Sequence, residues 1–253
     1  VIDERACIHP TAKLAEGVTV GPWTVIGADV EIGAGTEIAS HVVIQGPTKI
    51  GKNNRIYQFA SIGDDSQDKK FQDEVSRLEI GDGNTIREYV TINRGTSTTR
   101  VGDNNWIMAY CHIAHDCIVG NSTIFSNNAS LAGHVIVGDH VVFSGFSGIH
   151  QFCQIGDYSF IAKGTLVTKD VLPYLMIAGG NEATTAGLNA VGLKRHGFDE
   201  QALLDLRRAY KVIFRKGLTT QDALAELESL RKSNPHVDKL ANALVESTRG
   251  VIR

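Results

Sequence analysis

Nine histidines occur in a chain of 253 residues, and histidine is the side chain best suited to exchange protons near neutral pH. Two of them, His112 and His115, lie in the run CHIAHDC, where an acid, Asp116, directly follows His115. His134 follows Gly133 in LAGHV, and His150 precedes Gln151 in IHQFC. A base beside a glycine gap suits acyl transfer to a hydroxyl. The base takes the hydroxyl proton, and an open backbone N–H faces the developing oxyanion. Two other readings use the same residues: a metal centre built from histidines, or solvent-facing histidines with no chemical role.

Residues so far apart meet only if a repeat brings them together. Stepping by six from Ile8 gives Leu14, Val20, Ile26 and Ile32, and the frame runs on to Ile62. It resumes over Ile80, Ile86 and Ile92, and then, three residues out of step, from Val101 to Val167. Each position in the frame is Ile, Leu, Val or Phe. A small or β-branched residue usually stands four places on, and glycine often stands one place on. A period of six matches neither a helix nor simple alternation. It matches short strands joined by corners, with the aliphatic residue filling a prism and glycine supplying corners of positive φ. Three hexads make a coil of about 18 residues, so the frame predicts about eight coils of parallel strands. On such a coil His115, Gly133 and Gln151 share a column. His134 lies beside it one coil from His115, and His150 two coils away, at roughly 10 Å. Cys111, Cys117 and Cys153 take the small inward position and are expected to be core residues.

The frame has two interruptions and an end. Residues 64–79 form a polar excursion that should project as a loop, and Ser97–Arg100 form a smaller one. Of the 26 glycines, 24 lie in residues 1–197, which separates a prism domain (1–197) from a helical domain (198–253). In the second part Asp199 caps a helix stapled by Phe198 and Leu203, and Gly217 ends it. Thr219 with Asp222 resembles a capping box, and Asn234-Pro235 opens a third helix. These helices are placed to cover the last coil's edge. Arg208, Lys211 and Arg215 fall on one face of the first, either as a basic stripe or as an ordinary solvated face. No apolar run approaches a membrane span. The net charge of −3 gives no reason to expect nucleic acid, and four cysteines are no disulfide framework. The first residues show no secretory signal, so a cytoplasmic protein is expected.

HIAHDC with VGN after it, NNASLAGHV, HQFC, the loop motif SQDKK, GLKRHGF and the terminal STRGVIR together resemble the UDP-N-acetylglucosamine O-acyltransferases of lipid A biosynthesis, over nearly the whole chain. The resemblance implies a left-handed parallel β-helix with a helical tail. It also implies a cytoplasmic homotrimer with sites between subunits, and no cofactor. The reaction implied is transfer of an (R)-3-hydroxyacyl group from acyl carrier protein to the 3-hydroxyl of UDP-GlcNAc. By the same resemblance His115 is the general base, Asp116 orients it, and Gly133 gives the oxyanion N–H. Asp68 and Lys70 match sugar and substrate contacts, and His112, His134 and Gln151 further pocket residues. Asn189 and Arg195 match nucleotide contacts, and Lys163 the position that helps set acyl length. The basic stripe becomes a docking surface for the acidic carrier.

Several positions depart from the family pattern. Asn93 stands where many members have His, His196 where Arg often follows, and Val191 where some have an acid. A 3-amino sugar nucleotide therefore stays open as acceptor, and a long side chain at Lys163 suggests a short acyl group. The related N-acyltransferase normally carries an extra N-terminal domain, whereas the hexads here begin at Ile8. A scaffold solenoid would not need the histidine column. For zinc, as in the similar trimeric gamma carbonic anhydrases, His112 and His115 have the wrong spacing, and no metal is expected.

Overall fold

The computed structural model describes residues 1–72 and 74–253. Asp73, inside the expected excursion, lies outside the described residues. The chain winds into a three-sided prism of about nine coils, and the described strands form three sheets of nine, eight and ten strands. Successive coils pair in parallel and in register, for instance His112 with Ser130 and Ile113 with Leu131. The sequence frame gave about eight coils because it began at Ile8. The structure adds a bridge from Ile2 to Val20 at the top, and the strand Leu175–Ala178 below the last regular hexads. The frame positions point inward, and Ile44, Ile62, Ile86, Ile107, Phe125 and Phe143 are among those wholly shielded from solvent.

Each coil turns three corners, and side chains other than glycine supply most of the left-handed residues there. One corner carries Trp23, His41, Phe59, Tyr89, Tyr110 and Phe146, and a second carries Asn53, Asn104, Ser122, His140 and Tyr158. The third carries Asp116, His134 and Phe152, at φ of 60°, 61° and 66°. The glycines that follow the aliphatic residue were expected to serve this purpose; of these only Gly63 has positive φ. The others are needed for close approach. A Cβ on Gly102 would fall 2.6 Å from the Gly120 carbonyl oxygen, and one on Gly120 2.8 Å from that of Gly138. The space left open admits the Asp or Asn of the next coil. Asn121 Oδ1 accepts the Asp103 N–H at 2.7 Å, and Asp139 Oδ1 accepts that of Asn121 at 2.7 Å.

A ladder of inward amides is also paired. Asn54 Oδ1 accepts the backbone and side-chain N–H groups of Asn84 at 2.9 and 3.0 Å, and Asn84 Oδ1 accepts the Asn105 N–H at 2.8 Å. Cys111, Cys117 and Cys153 are buried as expected. Burial pushes the thiols of Cys111 and Cys153 up to about 11 and that of Cys117 up to about 12. They stay protonated and unreactive near neutral pH.

The prism ends differently from the expectation. The last parallel strand of the ten-stranded sheet, Leu175–Ala178, is closed by an antiparallel edge strand, Thr184–Leu188, not by helices. A first helix, α1 (Ala190–Arg195), precedes residue 198. Then come α2 (Glu200–Arg215), α3 (Thr220–Ser233) and α4 (Pro235–Glu246), capped by Asp199, Thr219 and Asn234 as their sequences suggest. Leu203, Leu206 and Ile213 bury one face of α2, and the Tyr210 hydroxyl lies 3.4 Å from that of Thr185, on the closing strand. No helix among the described residues is long and apolar enough to cross a membrane.

Replacing Asn84 with Ala orphans the Asn105 N–H inside the prism and removes one of the two donors to Asn54 Oδ1. We expect a loss of about 2 kcal/mol or more in unfolding free energy, measured by denaturant titration. An unchanged midpoint would contradict the ladder's role.

Candidate active site

The histidine corner joins the first sheet to the second. His115 and Asp116 lie between the strands His112–Ile113 and Ile118–Val119. Gly133 and His134 sit one coil below, then Gln151 and Phe152, so the column expected from the 18-residue period is present. The polar excursion leaves from the same corner above them, between Ser61–Asp64 and Arg77–Ile80. Its expected limits, 64–79, are too wide: Asp64 pairs with Asn93, and Leu78 is inward and fully buried. Among the described residues, the projecting part is 65–72 and 74–75.

His115 Nδ1 lies 2.9 Å from Asp116 Oδ2. Burial would raise the Asp116 carboxyl. Hydrogen bonds from His115, Ser97 and Thr96 outweigh it and hold the group at about 2. An ionised carboxylate only accepts, so His115 donates Nδ1–H and keeps Nε2 free as the basic atom. Nε2 abuts Gly133, where a Cβ would come within 2.5 Å of it. The Gly133 N–H has no hydrogen-bond partner among the described residues. A base, its orienting acid and an open donor thus meet at one point. His134 packs edge-on to His115 with ring centroids 5.2 Å apart, and it stacks on Phe152 at 4.6 Å. His112 Nδ1 contacts Thr91 Oγ1 at 2.7 Å, and burial, with the nearby His115, lowers its pKa. His150 is exposed, its Nδ1 3.1 Å from the Gln151 carbonyl oxygen.

The metal expectation considered only His112 and His115. The structure adds His134: ligand-type atoms of His115, Asp116 and His134 lie within 4.8 Å of one another. The Asp116 oxygens, however, already accept from the N–H and hydroxyl groups of Thr96 and Ser97 and from His115. A cation there would have to displace them.

Other expected site residues are spread over the prism. Asp68 and Lys70 are exposed on the excursion, with the Asp68 carboxylate accepting the Lys70 N–H at 3.0 Å. Lys163 is exposed, beside Gly164, on the aromatic corner that also carries Phe146. Asn189 belongs to the remaining corner: it caps α1 by accepting from Gly192 N–H and donates to the Tyr158 carbonyl at 2.9 Å. Arg195 ends α1, and the His196 ring lies against His140 and Tyr158. Burial and His140 lower the His196 pKa. Val191 is exposed on α1, and Asn93 donates to the carbonyls of Asp64 and Asp65 at the excursion's base. Among the described residues, no hydrogen bond or ion pair joins Asp68, Lys70, Lys163, Asn189 or Arg195 to the histidines. On α2, Arg208 pairs with Asp205 at 3.1 Å and Arg215 donates to the Tyr210 hydroxyl at 3.1 Å, while Lys211 is exposed. Thr91, Thr96, Ser97 and Phe152 were missed. The three-residue shift of the hexad frame marked the place of Thr96 and Ser97, but not their role.

A hexapeptide β-helix with a histidine–carboxylate pair at one corner has the construction of a hexapeptide-repeat transferase. The bacterial transferase hexapeptide family matches residues 11–46 and 98–133. Residues 170–252 match the second domain of UDP-N-acetylglucosamine O-acyltransferase. Curated relatives named acyl-[acyl-carrier-protein]–UDP-N-acetylglucosamine O-acyltransferase include those of Alkalilimnicola ehrlichii, 55% identical, and Stutzerimonas stutzeri, 52% identical; each alignment covers 100% of this chain and 99% of the relative. The solved structure of LpxA from Acinetobacter baumannii is 46% identical with a TM-score of 0.97, over 100% of this chain and 99% of that one. The UDP-N-acetylglucosamine acyltransferase of Francisella novicida is 42% identical with a TM-score of 0.97, over 100% and 94%. The chain belongs to the UDP-N-acetylglucosamine O-acyltransferase family and is an acyltransferase.

Gly133→Ala places a methyl against the His115 ring. The expected result is about a 100-fold loss of transfer with little change in melting temperature; full activity would show that the ring has room to move. The depressed Asp116 carboxyl contributes stability that is complete above the ordinary carboxylate range and is lost as pH falls toward 2. Between about pH 5 and pH 2 the wild type should lose about 2 kcal/mol more than Asp116→Asn, read from urea midpoints.

Proposed function

We propose that the protein transfers an (R)-3-hydroxyacyl chain from acyl carrier protein to the 3-hydroxyl of UDP-GlcNAc, the first step of lipid A biosynthesis, in the cytoplasm. The observation that carries this reading is the His115 ring, tied at Nδ1 to Asp116 with Nε2 facing Gly133. Nε2 takes the proton of the sugar 3-hydroxyl as its oxygen attacks the thioester carbonyl. The Gly133 N–H donates to the oxyanion. Collapse of the tetrahedral intermediate breaks the carbon–sulfur bond, and the proton held by His115 passes to the departing thiolate. A thioester is already activated, so the sequence needs neither a covalent enzyme intermediate nor a cofactor. Asp116 keeps the imidazolium in place during the step.

The reading also includes a homotrimer with sites shared between subunits. Its support is the distribution over three corners: Asp68, Lys70, Gln151 and the histidines at one, Lys163 at the second, Asn189 and Arg195 near the third. Neighbouring corners are separated by up to about 20 Å, the reach of a six-residue side. Copies packed side by side would bring one chain's histidine corner against the others of its neighbours. In such a site His112, His134, Gln151, Asp68 and Lys70 hold the acceptor, and Asn189 and Arg195 the nucleotide. Lys163 limits the acyl chain to a short one. Lys211, with Arg208 and Arg215 on the same helix, gives the acidic carrier a docking surface. We assign the chemistry to the prism, 1–197, and carrier docking to the helices of 198–253.

The test combines purified protein, UDP-GlcNAc and a mixture of (R)-3-hydroxyacyl carrier proteins, with the product read by mass spectrometry. A singly acylated, ester-linked UDP-GlcNAc is expected, with a short chain preferred and no turnover by a folded His115→Ala variant. Near-normal transfer by His115→Ala overturns the mechanism. Activity confined to a 3-amino sugar nucleotide overturns the acceptor, and a best rate with the longest chain overturns the role of Lys163.

A further inference from the structure

The second interruption of the hexads has a purpose that the base, acid and oxyanion donor do not explain. It leaves the prism at the histidine corner, one coil above His115, between the strands Thr91–Asn93 and Thr98–Val101, so the expected limits, Ser97–Arg100, lie too far along: Thr98–Arg100 pair as strand. Its residues Gly95, Thr96 and Ser97 wrap the Asp116 carboxylate. Oδ1 accepts Ser97 N–H at 2.7 Å and Ser97 Oγ–H at 2.9 Å. Oδ2 accepts Thr96 N–H at 3.1 Å and lies 3.3 Å from Thr96 Oγ1. A Cβ on Gly95 would overlap the carboxylate, so that position has room only for glycine. From the same upper coil, Thr99 Oγ1 accepts the Asp116 backbone N–H at 2.8 Å and holds the residue in its left-handed turn.

We infer that Ser97 and Thr96 are positioning residues for the transfer reaction, acting through Asp116 on His115. Asp116 directly follows His115, so it can hold the ring only if its own carboxylate is fixed on the opposite side. Two successive N–H groups and two hydroxyls fix both oxygens. Oδ2 then points at Nδ1, at 2.9 Å, and not at His134 Nε2, which stands 3.7 Å away. Without these donors the carboxylate is free to turn toward His134. His115 then loses both its set tautomer and its set ring plane. The loop thus selects which of two neighbouring histidines is the base. Neither Ser97 nor Thr96 needs to touch a substrate to do this.

The inference rests on the proposed base mechanism, and the experiment separates the two. Ser97→Ala, Ser97→Thr and His115→Ala are compared by steady-state kinetics with UDP-GlcNAc and an (R)-3-hydroxyacyl carrier protein, alongside melting temperature. Ser97→Ala removes one donor and keeps the backbone N–H. We expect kcat to fall about tenfold, a charge-assisted hydrogen bond's worth, with both KM values within twofold of wild type. Ser97→Thr, which restores a hydroxyl, is expected to recover most of the rate. Unchanged kcat in Ser97→Ala beside an inactive His115→Ala overturns the positioning role and leaves the base intact. A rise in KM with kcat retained also overturns it, since that marks a binding contact. Equal loss in Ser97→Ala and Ser97→Thr with a lowered melting temperature marks a structural loop and overturns it as well. Activity in His115→Ala removes the mechanism on which the inference stands.

Discussion

Backbone hydrogen bonds between coils, about 4.8 Å apart, are the constraint on which the rest of this molecule depends. Once each coil must lie in register on the next, side chains lose most of their freedom of choice. Inward positions are mostly apolar or small, and the inward amides of Asn54, Asn84 and Asn105 satisfy each other one coil apart. Corners must turn sharply, so they take left-handed residues even where the side chain is as large as Trp23 or Tyr110. Such residues cost of order 1 kcal/mol or more each, and only a framework that fixes the chain on both sides can hold so many.

The same stacking produces the site. His115, Gly133 and Gln151 are neighbours because their coils are in register, with no need of a loop to bring them together. Asp116 is one of few buried carboxylates, with Asp170 and Asp205. It is stable there because donors surround it, from His115 and from the Gly95–Ser97 turn. Rigid backbone thus sets the distances, while one buried carboxylate sets the direction of the proton.

Much of this was legible in the sequence. The hexad frame gave the prism, the column of catalytic candidates and the buried cysteines, and the cap residues gave α2, α3 and α4. Most of what was not legible depended on partners distant in the chain. Glycines such as Gly102 and Gly120 read as turn formers, yet their reason is the coil below, which no local pattern displays. The edge strand Thr184–Leu188 has no hexad and pairs antiparallel, so the frame was silent on it. Ser97 appeared only as part of an insertion, because nothing in its neighbours names Asp116 as its acceptor. Arg208 and Arg215 read as a free stripe until Asp205 and Tyr210 were seen beside them. The resemblance gave Asp68, Lys163 and Asn189 to sites between subunits, and the prism carries them near three different edges.

The two interruptions share one edge of the prism. The excursion between Ser61–Asp64 and Arg77–Ile80 and the turn at 95–97 both leave between the first sheet and the second, at the edge that carries His115. The other two edges keep their spacing through all of the regular coils. A corner is the one place where added residues leave the ladders intact, because the strands on both sides rejoin in register after any excursion. Lengthening the chain there therefore changes what surrounds the reacting groups without changing the distances between them. The edge works as a port for new chemistry: it can gain or shed whole segments while the scaffold behind it, and the spacing that it enforces, stay as they are.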